Sequence, residues 1–205
     1  MPNAKAKVSQ EPSLWNANFP FVDFSMLSVD CQNKKAVARI MVTNVLSIKK
    51  MSRLKTIRSD WFADEQLIIT QISGDIENAD VIRWEQTLHA ALDQVPDSGA
   101  FKIFINLYGF NAVDLEAHKQ FRNIIPLTLA SYGWKVGYVA MFPEEAEKMI
   151  IFKKRNVQCI AAAHCHQDVT KIEKYESLYS SDYEHFFTDA EAADAWIRSS
   201  NRSWS

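Results

Sequence analysis

Glycine and proline are scarce in this chain, five and six in 205 residues, which excludes collagen-like and low-complexity architectures. Cysteine is scarcer still. Its three copies, Cys31, Cys159 and Cys165, are odd in number and irregularly spaced, so no disulfide scaffold is expected and a reducing compartment suits the chain. No apolar run approaches the roughly 20 residues that span a bilayer. The opening stretch MPNAKAKVSQEPS lacks the apolar core of a secretory signal, and a cytoplasmic protein is the expectation. Catalytic signatures are missing too: there is no GxSxG elbow, no Gly-rich loop between strand and helix, no CxxC and no HxxxH. No cofactor is expected. Acidic residues are absent from one long stretch, Cys31 to Ser59, which holds eight Lys and Arg. Against an overall net charge of −2, this leaves fifteen basic and twenty-five acidic residues elsewhere, a balance of −10.

What is present is a core-forming composition. Twelve Phe, six Trp and six Tyr exceed what a disordered chain carries. Residues 1–20 lack periodicity and read as a mobile arm. From Lys34, the residues Val37, Met41, Val45, Ile48, Met51, Leu54 and Ile57 recur every three or four positions, the stripe of a helix over about 34–58. Its other face carries Lys35, Arg39, Lys49, Lys50, Arg53 and Arg58. The β-branched stretch 37–46 leaves a strand there as an alternative. Residues 21–60 are therefore a basic amphipathic extension, and 61–200 a separate domain.

Beyond Asp60 the pattern alternates. LIITQIS over 67–73 reads as a strand, followed by a helix capped by Asn78 and closed by Pro96, with Val81, Trp84, Leu88, Ala91, Leu92 and Val95 on one face. FKIFINL over 101–107 is a strand buried on both faces. A helix opens at Asp114, and beyond Pro126 residues 127–132 are either its kinked continuation or a separate turn. WKVGYVAM over 134–141 reads as a third strand. Pro143, Glu144 and Glu145 open a helix whose far end is marked by Lys153, Lys154 and Arg155. A fourth strand over 157–163, a helix over 169–179 and an edge strand over 183–187 follow. Thr188 and Glu191 then form a capping box for a last helix through Trp196 and Ile197. This rhythm predicts an α/β fold with a mostly parallel central sheet of about four to six strands covered by helices.

Four of these segments carry a family likeness. LIITQISGDIENADVIRWEQTLHAAL resembles the opening of a STAS domain, where a strand ends in a Gly-acid-aliphatic triplet, here Gly74, Asp75 and Ile76. EHFFTDAEAADAWI is similar to the close of the SpoIIAA-like branch, and FKIFINLYGF and WKVGYVAMFP fall where that branch places central strands. The likeness spans residues 63–198. It implies a non-catalytic, regulatory binding module related to the CRAL-TRIO lipid-transfer fold, with a lipid or other amphipathic ligand between sheet and helices. Regulatory members are switched by phosphorylation of a Ser or Thr after the strand that here ends at Leu107. This chain has Asn106, Leu107, Tyr108, Gly109 and Phe110 there, with no hydroxyl of that kind. The aromatic turn points instead to an apolar ligand or a protein partner at Tyr108, Phe110, Phe121, Ile125, Trp134 and Tyr138. A partner switch without the usual serine is the alternative.

Four further groups remain open. Cys159, His164, Cys165, His166 and Asp168 combine metal-binding residue types, and His164 and His166 share a strand face; with no second ligand-bearing segment, a locally hydrogen-bonded strand end is the leading reading, with a metal or an enzyme centred on His164 and His166 behind it. Glu173, Glu176, Asp182 and Glu184 read as a solvated face. The aromatic residues Trp84, Phe101, Phe104, Tyr108, Phe110, Phe121, Trp134, Tyr138, Phe152, Phe186, Phe187 and Trp196 read first as core, with a pocket lined by some of them as the alternative. The basic helix, with Lys49, Lys50, Arg53 and Arg58, reads first as a docking element that makes a homo-oligomer or packs on the acidic domain. Contact with a membrane surface comes second. Nucleic acid comes last, because no base-reading signature accompanies the charge.

Overall fold

A computed structural model describes residues 54–200; the arm at 1–20 and all of the basic extension before Leu54, with Lys49, Lys50 and Arg53, lie outside the described residues. The six strands are β1 (Thr56–Phe62), β2 (Leu67–Ile76), β3 (Ala100–Asn106), β4 (Phe110–Ala112), β5 (Gln158–Cys165) and β6 (Glu184–Phe187). Five α-helices lie between and after them: α1 (Asn78–Leu92), α2 (Leu115–Ala130), the short α3 (Pro143–Lys148), α4 (Val169–Tyr179) and α5 (Ala190–Ser199). The sheet order is β1-β2-β3-β5-β6, with β4 pairing in parallel with the end of β2. Only β1 is antiparallel, so the α/β class and the mostly parallel sheet follow the sequence pattern.

The strand order never reverses from β2 to β6. Successive right-handed crossovers in one direction place their helices on one face, and the packing agrees. Val81, Trp84 and Leu88 of α1 and Ile124, Ile125 and Leu129 of α2 share a core with Ile68, Ile72, Ile103, Ile105 and Ala162 of the sheet. Helix α4 continues this layer through Ile172 and Tyr175 against Phe186. The other face is covered by α5, whose Ala193 and Ile197 meet Leu67, Phe104, Ala161, Ala163 and Cys165. Strand β3 is buried on both faces because it is central.

A polar network ties β1, β2 and α1 beneath this layer. The Trp84 indole N–H donates to Thr70 Oγ1 at 2.7 Å, and that hydroxyl also lies 2.7 Å from Ser59 Oγ. Thr70 is fully buried. Thr70→Val keeps the volume but strips the indole of its acceptor, and should lower the unfolding free energy by about 1–3 kcal/mol. An unchanged urea midpoint would contradict this role.

Several expectations are corrected. Residues 134–141 are not a strand. β3 pairs directly with β5, which leaves no slot in the sheet, and the segment ends instead in a 3-10 turn, Gly137–Met141. Its buried Val136 and Val139 are three apart, the period of that helix. A Cβ at Gly137 would lie 2.5 Å from the Tyr179 carbonyl oxygen, so glycine permits the close approach to α4. The helix expected to reach Arg155 stops at Lys148. The Phe152 and Lys154 N–H groups donate to the Ala130 and Ser131 carbonyls, and Ile150, Ile151 and Phe152 stand exposed.

Arg155 does sit at a helix C-terminus, but that of α1. Its guanidinium donates to the Leu92 and Val95 carbonyls at 2.9 and 3.0 Å, a favourable place for a cation. Pro126 lies inside α2, which runs on to Ala130. The cap of α1 is Glu77, in a capping box with Asp80, and Asn78 is the first helical residue. Asp189, not Thr188, caps α5, accepting from the Glu191 and Ala192 N–H groups. Residues 56–58 belong to β1 rather than to a helix, so Arg58 is a strand residue, because Thr56, Ile57 and Arg58 pair with Ser73, Ile72 and Gln71.

Candidate functional site

Of the six residues expected at a ligand or partner surface, Phe110, Phe121, Ile125 and Trp134 lie in one cluster, Tyr138 links it to a second, and Tyr108 stands outside both. Phe110 of β4 stacks on Phe121 of α2 with ring centroids 4.0 Å apart, and Phe121 stacks on Trp84 at 5.5 Å. This ladder, with buried Ile125 and partly buried Trp134, is main-core packing. Tyr108 is 52% exposed at the tip of the turn after β3. Gly109 closes that turn at φ +82°, and its carbonyl accepts from Gly74 N–H at 3.0 Å. Tyr138 touches the main core and also enters a second cluster. There it stacks on Tyr175 of α4 at 5.2 Å and meets Phe186 of β6 and His164 of β5 edge-on, at 6.2 and 5.8 Å.

This second cluster surrounds a buried polar pair. The His164 ring stacks on Phe186 at 4.7 Å, and its Nε2 lies 2.9 Å from Glu184 Oε1. Glu184 Oε2 accepts from Gly137 N–H at 3.0 Å. Strand register explains the meeting: His164 is paired with Phe186, so Glu184, two residues earlier on β6, shares its face. Glu184 is only 3% exposed, which overturns its reading as part of a solvated face. A solvated carboxylate gains nothing from an edge strand, whereas here it holds two donors. Burial, with the Glu184 charge as the second cause, raises the Tyr138 phenol above its ordinary range.

Above the pair, at the carboxyl ends of β3 and β5, two loops are clamped together. Gln167 Oε1 accepts from Gly109 N–H at 2.9 Å, and its amide nitrogen donates to the Phe110 carbonyl at 3.0 Å. His166 Nδ1 accepts from Asp168 N–H at 3.0 Å, so the ring is neutral with its proton on Nε2. Burial, and then Lys171, pull its pKa down to about 4, against the opposing pull of Asp168. His118 on α2 is lowered in the same way by burial, Lys171 and Arg122. Lys171 is itself lowered by burial. Asp168 caps α4, accepting from Lys171 N–H at 3.1 Å.

The metal reading of His164, Cys165 and His166 does not come together here. Alternation along β5 puts Cys165 on the α5 face, away from the two histidines, and burial pushes its thiol up to about 11, a poor ligand or nucleophile. Among the described residues no three His, Cys, Asp or Glu side chains converge on a metal position, and no helix is long and apolar enough to cross a membrane. Glu184, His118, Arg122 and Lys171 were not singled out as site residues by sequence pattern. The one available signal was parity, which places Glu184 with Phe186 and His164 with His166.

The depressed His166 makes stability sensitive to acid. The unfolded imidazole takes a proton near pH 6.5, while the folded one resists until about 4. Between these values the unfolded state binds more protons, so stability is full above about pH 6.5 and is lost as pH falls through about 4. His118 acts in the same direction. The urea midpoint should be lower at pH 5 than at pH 7, and a His166→Gln variant should lose part of that difference; an identical difference in the variant would contradict the assignment.

Compared with family models, with curated proteins and with solved structures, the chain matches none.

Proposed function

We propose that residues 61–200 act as a non-catalytic, STAS-like binding module, which takes a small apolar or lipid-like ligand or a protein partner at the carboxyl end of the sheet beside α2 and α4. The observation that carries this reading is the aromatic group Tyr138, Tyr175 and Phe186 around the His164–Glu184 pair: an apolar wall with few, fixed polar groups is the usual make-up of a small-molecule site. The Gly74-Asp75-Ile76 ending of β2 and the layer of helices on one face support the STAS likeness. With Tyr108 at the turn where regulatory members carry a phosphorylated serine, a phosphate-controlled switch is disfavoured. Native mass spectrometry of the purified chain should detect a bound small molecule that is lost in Tyr138→Ala; a clean apo mass together with no captured partner would overturn the module.

A second reading, an enzyme, is favoured by one observation: a buried carboxylate that fixes an imidazole in one tautomer is also the geometry of a general base. Turnover lost in a folded His164→Gln variant would establish it. The proposal also includes self-association through the basic segment. Light scattering should then show a smaller mass for the full-length Lys49→Glu/Lys50→Glu/Arg53→Glu variant, and an equal mass would remove that part.

A further inference from the structure

We propose that the outer edge of β1 is the contact surface for a second copy of this chain, the two β1 strands pairing antiparallel about a two-fold axis at Ser59 so that one sheet runs through both subunits.

The sheet ends at two strands, β1 and β6, and the chain treats these ends differently. At β6 the outward backbone groups are taken. The Ser181 N–H donates to the Glu184 carbonyl at 2.9 Å, the Glu184 N–H donates to the Ser181 carbonyl at 3.2 Å, and the Phe186 N–H donates to Glu176 Oε2 of α4 at 2.8 Å. Among the described residues, β2 alone bonds to the backbone of β1. Strand β1 holds neither proline nor glycine, and its pairing with β2 runs from Thr56 to Phe62 without a register shift. A flat, regular edge of this kind is a template for another strand.

Charge can blunt such an edge, but the order of Arg58 and Asp60 makes it selective instead. Directly opposed residues of an antiparallel pair must both turn their N–H and C=O toward the partner or both away, so two copies of β1 can meet only with the axis on a residue. With the axis at Ser59, Arg58 faces the partner's Asp60, and Asp60 faces the partner's Arg58. Moving the axis by one residue sets Arg58 against its own copy, or Asp60 against its own. Arg58 and Asp60 already pair within the strand at 4.0 Å, with both side chains more than half exposed. The second copy leaves that pair in place and gives each charge a further opposite neighbour. On the other face the same register sets Ile57 against the partner's Trp61. Both are partly buried against the main core, and an aromatic opposite a β-branched side chain is a favourable cross-strand pair. Ser59, where identical side chains meet, is small, and its hydroxyl is engaged by Thr70 and Thr87. Because β6 is closed by its own chain, the pairing ends at two copies and does not grow into a fibre.

Sedimentation equilibrium of the full chain over a concentration series, at fixed ionic strength, tests this. Wild type should show a monomer–dimer equilibrium. Arg58→Glu opposes acid to acid in both symmetry-related pairs, and Asp60→Arg opposes base to base, so each should raise the dimer dissociation constant about tenfold. Both side chains are exposed, so the monomer keeps its fold. The double variant Arg58→Glu/Asp60→Arg should dimerise like wild type. Mixing the two single variants should also restore association, as heterodimers in which every charge again meets its opposite. Rescue by mixing establishes the β1 contact whatever the basic segment does. Equal dissociation constants in wild type and both single variants would overturn it, as would failure of the mixture to associate. If only the Lys49→Glu/Lys50→Glu/Arg53→Glu variant loses mass, the basic segment is the interface and the β1 contact is refuted. A wild-type chain that stays monomeric refutes it too. Hydrogen exchange at the outward β1 amides then identifies the cover: protection assigns the edge to the chain's own segment before Leu54, and fast exchange leaves it open.

Discussion

Replacing Trp84 by alanine should lower the unfolding free energy by about 3–5 kcal/mol, in the range of large-to-small changes at aromatic core positions. Trp84 is fully buried and has three separate tasks. Its ring fills the space between α1 and the sheet, it stacks on Phe121 of α2, and its N–H satisfies Thr70. Alanine opens a cavity, ends the ladder to Phe110 and removes a donor from a buried hydroxyl group. Trp84→Phe retains most of the apolar area and loses the hydrogen bond, so its loss should lie near that of Thr70→Val. Chemical denaturation of the three variants decides the matter. If Trp84→Ala loses under about 1 kcal/mol, far below that range, the ladder is not the packing described.

Glu184→Ala should be of comparable size, about 3–5 kcal/mol, because it leaves two buried donors without their acceptor, each costing about 1–3 kcal/mol. Two donors, His164 Nε2 and Gly137 N–H, lose their acceptor together. The Gly137 bond also anchors the 3-10 turn that brings Tyr138 into the aromatic cluster, so the variant should disturb the near-UV signal of Tyr138 and Tyr175 as well as the stability. Glu184→Gln keeps its oxygen as acceptor for Gly137 N–H, and its amide nitrogen can donate to His164 Nε2 once the imidazole proton moves to Nδ1, so it should lose clearly less. A double variant, Glu184→Leu with His164→Phe, should recover part of the loss, since apolar replacement of both partners avoids an orphaned group. Equal losses for Ala and Gln would argue against the two hydrogen bonds as the source.

The elements that could be read from the residues are those with local causes. Strand β3 was legible because a run buried on both faces has one simple structural answer, and α4 was legible to the residue because Asp168 and the spacing of Ile172 and Tyr175 define it locally. Residues 134–141 failed for the opposite reason. Their apolar density suits a strand, but whether the sheet has a place for them depends on β3 and β5 joining, which no local pattern records. The end read at Arg155 was chemically right and topologically wrong: the cation does meet helical carbonyls, but those of α1. The site followed the same rule. His164 and His166 stood out by type, whereas Glu184 looked like any surface acid until β6 was set beside β5.

The contact between Arg155 and the end of α1 spans 63 positions of sequence, and this sets an order in time. The β2–α1–β3 unit is contiguous and can pair early, yet the last carbonyls of its helix keep water as their partner until the segment leading into β5 arrives. Completion of the first unit and insertion of β5 are thus one event, so the two ends of the sheet should open and close as a single cooperative block.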